Sequence, residues 1–161
     1  MKPGNDMKDQ TTKLEKKGTN MKSKHIRSVK PLTPEHFARV LAAAEGEMHG
    51  LVLAAMTTGQ RIGDIVSLKR GDVDLSKGLI CFSLAKTGRE LVLPMDLRLR
   101  GWLEEQMRPS TTVLLFPELS RRGSIAVGRM LQKLGKKAGV EVNALTFRHT
   151  VGQALIERGC L

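Results

Sequence analysis

Apolar residues early in the chain recur with the period of an α-helix. Phe37, Val40, Leu41 and Ala44 fall at i, i+3, i+4 and i+7, on one helical face. Thr33 supplies an N-cap hydroxyl, Pro34 fits the first helical position, and Glu35 suits the positive end of the dipole. Gly46 and Gly50 bracket a short connection. From Leu51 to Met56 no polar position interrupts, so a second helix there is central and buried on every side. It stops at Thr57, Thr58 and Gly59, and Ile62, Ile65 and Val66 turn inward from a third helix. The period then changes. Asp72-Val73-Asp74 leads into a turn near Ser76-Lys77-Gly78. Leu79 to Leu84 reads as a strand and Leu91 to Leu93 as its partner, with Lys86-Thr87-Gly88-Arg89 as the hairpin turn between them. Pro94 ends the second strand. Leu99, Trp102, Leu103 and Met107 mark another helix, and Pro109 to Pro117 a loop. Val127, Met130, Leu131, Leu134 and Ala138 form an amphipathic helix ending at Gly139. Phe147, Val151, Ala154 and Leu155 form the last one, ending at Gly159. The pattern predicts one α+β domain: mainly helical, with a small antiparallel β-sheet (hairpin near 79–93) inserted after the third helix.

Residues 1–30 do not share this pattern. They are rich in lysine, from Lys2 to Lys30, and carry almost no large apolar side chains. Such a stretch cannot bury enough surface to offset the entropy of ordering, so a disordered basic arm is predicted for 1–30 and the folded domain for 31–161.

Charge extends the reading toward partners. Lys and Arg number 27 against 16 Asp and Glu, a formal net charge of +11. An excess of that size favours a polyanion, with nucleic acid the first candidate and an anionic membrane surface the second. No apolar run approaches the roughly 18 residues of a membrane span. The polar N-terminus has no secretory signal pattern. Cys81 and Cys160 lack metal-ligand spacing and read as reduced thiols, while His25, His36, His49 and His149 are scattered. No metal and no cofactor is expected, and the location expected is cytoplasmic.

Several basic residues stand at element boundaries rather than on open faces. Arg61 opens the third helix, where free N–H groups already favour anions, and its planar fork can hold two phosphate oxygens. Asp64, three residues on, is placed to brace that guanidinium. Lys86 sits at the hairpin tip, and Arg148 lies near the start of the last helix with His149 beside it. Each alone also reads as an ordinary surface cation. Together, two guanidiniums and a mobile ammonium suit phosphoryl transfer: the guanidiniums stabilise charge on the transition state and the ammonium can protonate a leaving oxygen. Arg129, Lys133, Lys136 and Lys137 share one side of their helix, with Arg121 and Arg122 just before it. They read either as further phosphate contacts or as a solvated polar face.

The stretch Thr58-Gly59-Gln60-Arg61-Ile62-Gly63-Asp64 resembles the first motif of the tyrosine recombinases, T-G-x-R-x-x-E, with Asp for the usual Glu. Lys86-Thr87-Gly88 followed by Pro94 resembles that family's hairpin K-T-G…P segment, and Phe147-Arg148-His149-Thr150 its L-R-H-T motif. The likeness runs from about residue 32 to 161, with the motifs in order. It implies that Arg61 and Arg148 bind the scissile phosphate, that Lys86 is the general acid toward the 5′ leaving oxygen, that Asp64 orients Arg61, and that His149 is supporting. It also implies double-stranded DNA as partner, homo-oligomers on that DNA, and a phage or bacterial gene whose product associates with the nucleoid.

The sequence departs from the family in three places. Leu145 stands where the family usually has His, and a leucine makes no hydrogen bond. The chain holds no tyrosine, and it stops before the family's L-G-H motif and nucleophile. Residues 1–30 are too short and polar to be the family's N-terminal clamp domain. The expectation is a partial catalytic domain, truncated before the nucleophile, that binds duplex DNA without cutting it and whose missing segment leaves apolar surface exposed. Two alternatives stand beside it: a non-enzymatic regulator using the last two helices, with Gly139 between them, as a helix-turn-helix, and a site served by a nucleophile from a different protein.

Overall fold

The computed structural model describes residues 29–160. The arm expected over residues 1–30 lies outside this range except for Val29 and Lys30. The elements run α1 (Pro34–Ala43), α2 (Gly46–Thr58), α3 (Ile62–Val66), a 3-10 turn (Arg70–Asp72), β1 (Val73–Asp74), β2 (Leu79–Leu84), β3 (Arg89–Pro94), α4 (Leu97–Gln106), α5 (Pro117–Arg122), α6 (Ser124–Ala138) and α7 (Thr146–Glu157). The architecture is the α+β domain expected: a helical body carrying a small antiparallel sheet of order β1-β2-β3.

Helix α2 is the axis of the body. Gly50 through Ala55 are all buried, as a stretch apolar on every side requires. Helices α1, α3, α4, α5 and α7 each pack against it. Gly50 is seated under the indole of Trp102 on α4, and that indole stacks on Phe116 with ring centroids 5.2 Å apart. Helix α1 begins as its residues demand: Thr33 Oγ1 accepts the His36 N–H, and Pro34 occupies the first turn. The Leu32 N–H donates to Thr150 Oγ1 at 2.9 Å, which ties the start of the fold to α7.

In the sheet, Ile80 and Phe82 face the core while Cys81 and Ser83 face outward, the alternation a half-buried strand imposes. Desolvation raises the pKa of the Cys81 thiol, with smaller contributions from the charges of Glu90 and Asp72, which disfavours the thiolate. The β2–β3 register pairs Leu84 with Arg89, so the turn is Ala85–Gly88 and Arg89 already belongs to the strand. Gly88 takes a positive φ of 65° there, and its N–H closes the turn on the Leu84 carbonyl at 2.8 Å.

Three features were not expected. β1 is only two residues long, too short for a periodic signal. Helix α5 occupies the end of what read as a loop. Its first N–H groups are capped from far away in sequence: the Glu47 carboxylate accepts the Glu118 N–H at 3.1 Å and the Leu119 N–H at 2.9 Å. On α7, Leu155 was expected inward with Val151 and Ala154, but it is exposed, as is Ile156.

The last two helices do not form a helix-turn-helix. The stretch from Gly139 to Leu145 separates them, where that motif allows a turn of about 3–4 residues. Moreover, α6 packs on α1, α3 and α5, whereas α7 packs on α2.

Two stability measurements test this packing. Gly50→Ala places a β-carbon inside the Trp102 ring, and a loss of about 1–3 kcal/mol in urea unfolding is expected. Glu47→Ala orphans two α5 N–H groups at once and should lower stability by about 1–2 kcal/mol, with Glu47→Gln recovering part of it. A Glu47→Ala chain that melts like the parent would show that α5 needs no such cap.

Candidate functional site

Gly59 ends α2 in the left-handed conformation, with φ 64°. That turn points the chain from the buried helix toward the surface two residues before Arg61. Arg61 is the N-cap of α3, with extended backbone angles and an exposed side chain. Lys86 lies in the turn of the β2–β3 hairpin and is also exposed. Both line one open pocket of about 490 Å³, together with Asp64, Ser67, Ser120 and Ser124. The spacing of twenty-odd residues in sequence thus becomes a shared cavity, because α3 packs against β2.

Arg148 is not part of that pocket wall. It sits half-buried in the first turn of α7, one helical turn before Val151. Val151 packs on Gly59, where a β-carbon would meet the valine methyl at 3.0 Å. Arg148 thus belongs to the helix whose Val151 packs on Gly59, and it does not line the cavity of Arg61. His149 is exposed beside it, and Leu145, just before the helix, is 54 % exposed. Asn143, not Leu145, caps this end: its Oδ1 accepts the Leu145 and Thr146 N–H groups at 2.8 and 3.2 Å.

Among the described residues, none of Arg61, Lys86 or Arg148 makes a side-chain hydrogen bond or ion pair. Among the described residues these three positive groups have no such partner. Their neighbours contrast with them. The Arg70 guanidinium is consumed by carbonyl groups of Thr112, Gln106 and Arg108, and Arg39 caps the end of α6 through the Ala138 carbonyl at 2.6 Å.

Asp64 does not brace Arg61 in this structure. No ion pair joins them among the described residues, and the carboxylate accepts the Ala85 N–H at 3.2 Å instead. The physical reason lies in the backbone. Helical i, i+3 geometry needs both residues inside the helix. Arg61, as an N-cap with ψ 143°, directs its side chain off that face. The carboxylate is buried, and its second oxygen, Oδ2, has no hydrogen-bond partner.

Outside the pocket, Arg129, Lys133, Lys136 and Lys137 are all exposed on α6, a helix with no acidic residue. Arg121 and Arg122 are exposed at the end of α5, where Arg121 is paired with Glu118. Ser67, Ser120 and Ser124 were missed as pocket residues. Gly123-Ser124 ahead of a basic amphipathic helix is a readable helix start, but nothing local places it beside Arg61.

Residues 30–160 match the phage integrase family. The tyrosine recombinase XerA of Thermococcus kodakarensis is 31 % identical over 140 residues, which cover 81 % of this chain and 50 % of that protein. A crystal structure of XerA recombinase superposes with a TM-score of 0.68 at 26 % identity, over 81 % of this chain and 52 % of that one. Lambda integrase bound to DNA shares the fold, with a TM-score of 0.59 at 20 % identity, over 80 % of this chain and 51 % of that one. The chain spans about half the length of the curated XerA proteins it matches. With its motifs, fold and sequence match in agreement, this chain belongs to the phage integrase family of tyrosine recombinases.

Proposed function

We propose that this chain is a recombinase catalytic-domain segment that binds duplex DNA through its phosphates. Arg61 and Lys86 take one phosphodiester in the shared pocket and Arg148 reaches it from α7. The exposed cations of α6, with Arg122, hold the flanking backbone. Lambda integrase, of the same fold, is bound to DNA, and its dimers and tetramers accompany DNA as well. Several copies of this chain on one duplex follow by the same likeness. The observation that carries the reading is the unpaired state of the three cations among the described residues, on a chain of net charge +11.

In strand exchange, the two guanidiniums would stabilise charge on the phosphorane-like transition state, and the Lys86 ammonium would protonate the departing 5′ oxygen. The covalent half of that reaction needs a phenolic nucleophile. These 161 residues include no tyrosine, so none of them can form a phosphotyrosyl bond.

Binding to a short duplex should weaken steeply with salt, log K falling with log salt by about 0.9 for each phosphate neutralised. Arg61→Ala and Arg148→Ala should each weaken binding and reduce that slope by about 1, whatever the DNA sequence. Affinity indifferent to salt, or a slope unmoved by both variants, would overturn the reading. On a nicked suicide duplex no covalent protein–DNA adduct should accumulate, and an adduct on this chain would refute the missing-nucleophile account.

A further inference from the structure

We infer that Ser124 is a further phosphate ligand of the pocket that holds Arg61 and Lys86: its hydroxyl donates to a non-bridging oxygen of the same phosphodiester from a third wall. This rests on the DNA-binding reading and adds a neutral contact to the charged ones. Two observations carry it. Ser124 lines the pocket together with Arg61 and Lys86, and it is exposed. Its β-carbon stands 3.8 Å from the position a β-carbon would take on Gly63, two residues after Arg61.

Three separate parts of the fold make the walls. The start of α3 contributes Arg61, the hairpin turn contributes Lys86, and the corner between α5 and α6 contributes Gly123 and Ser124. That corner is tight because Gly123 ends one helix and begins the next with φ 79° and ψ 156°, a backbone region open essentially to glycine alone. Gly63, on the facing wall, carries no side chain to hold the corner away from α3. A phosphodiester bears one negative charge, which the cations of two walls already answer. Charge alone does not fix how its oxygens are turned. A hydroxyl on the third wall does so without adding charge, since it rotates to suit its acceptor and bonds an ionised oxygen strongly. The other serines of the pocket are placed differently. The Ser67 hydroxyl donates to the Gly63 carbonyl of its own helix at 2.7 Å, and Ser120 is half-buried on α5, one helical turn before the corner. No side chain caps the start of α6, so the Ser124 hydroxyl is not engaged there.

Neutral and charged ligands leave different signatures in salt. Removing a cation lowers the slope of log K against log salt by about 1, because one counterion-releasing contact is lost. Removing a hydroxyl weakens binding at every salt concentration and leaves the slope alone. The test is binding of the parent, Ser124→Ala and Ser124→Thr chains to a short duplex over a salt series, with a thermal melt of each. Ser124→Ala should bind about tenfold more weakly, with the slope and melting temperature of the parent. Ser124→Thr keeps the hydroxyl and should recover most of the affinity. Parent affinity in Ser124→Ala, beside a steep parent slope, overturns this inference and leaves the DNA-binding reading standing. A Ser124→Thr chain as weak as Ser124→Ala overturns it too, since the hydroxyl is then not what binds. So does a Ser124→Ala chain that melts well below the parent, which assigns the hydroxyl to the fold. A parent chain whose affinity ignores salt overturns both readings together.

Discussion

The burial of α2 on every side is the constraint from which the rest of the arrangement follows. A helix with no solvated face must be surrounded, and α1, α3, α4, α5 and α7 surround it. Close approach is built in at Gly50, where only a hydrogen leaves room for the Trp102 ring, and the same indole then stacks on Phe116 just before α5. The helix ends at Gly59, whose left-handed conformation turns the chain outward within two residues. Arg61 is exposed because the segment before it is not. The position of a solvent-facing guanidinium is thus set by the deepest element of the core, which is rigid to the extent that its packing is dense.

The site is assembled across the fold by contacts made for other reasons. Packing of α3 on β2 brings Lys86 to the cavity of Arg61, and the Glu47 carboxylate holds α5 so that Ser120 closes a wall. The site is cationic, yet a buried carboxylate lies within it. Asp64 spends one oxygen on the hairpin backbone. A pocket lined by cations alone would be a stronger anion trap and a less ordered one. Coupling the hairpin to α3 gives up some charge for a fixed geometry, the form of preorganisation that electrostatic stabilisation of a transition state requires.

Much of the fold was legible where a residue's role is local. Thr33 and Pro34 start α1, Gly59 and Gly139 end α2 and α6, and the alternation through Ile80 and Phe82 marks β2. What escaped depends on partners distant in the chain. Helix α5 is six residues long and is capped by Glu47, some seventy positions earlier. No window of sequence contains that pair. β1 exists because Val73 and Asp74 meet Ile80 and Leu79, too little for a periodic signal. At the site, the resemblance implied that Arg61, Lys86 and Arg148 act on one phosphate, and Arg61 and Lys86 line one pocket. Asp64 was assigned to Arg61 from helical spacing, which fails once Arg61 is a cap rather than a helical residue. Arg148 does not line that pocket and lies on α7.

Net charge and unpaired charge make different arguments. A value of +11 describes attraction at long range and would serve any polyanion. Arg39 and Arg70 contribute to it as fully as Arg61 does, yet their guanidiniums are occupied by backbone carbonyl groups and have structural work. Among the described residues, Arg61, Lys86 and Arg148 have no such internal contacts. Anion binding by such groups needs no nucleophile, since the electrostatic part of a phosphoryl-transfer site acts on the bound phosphate whether or not a bond is then made. These 161 residues hold no tyrosine, so none of them can supply a phenolic nucleophile.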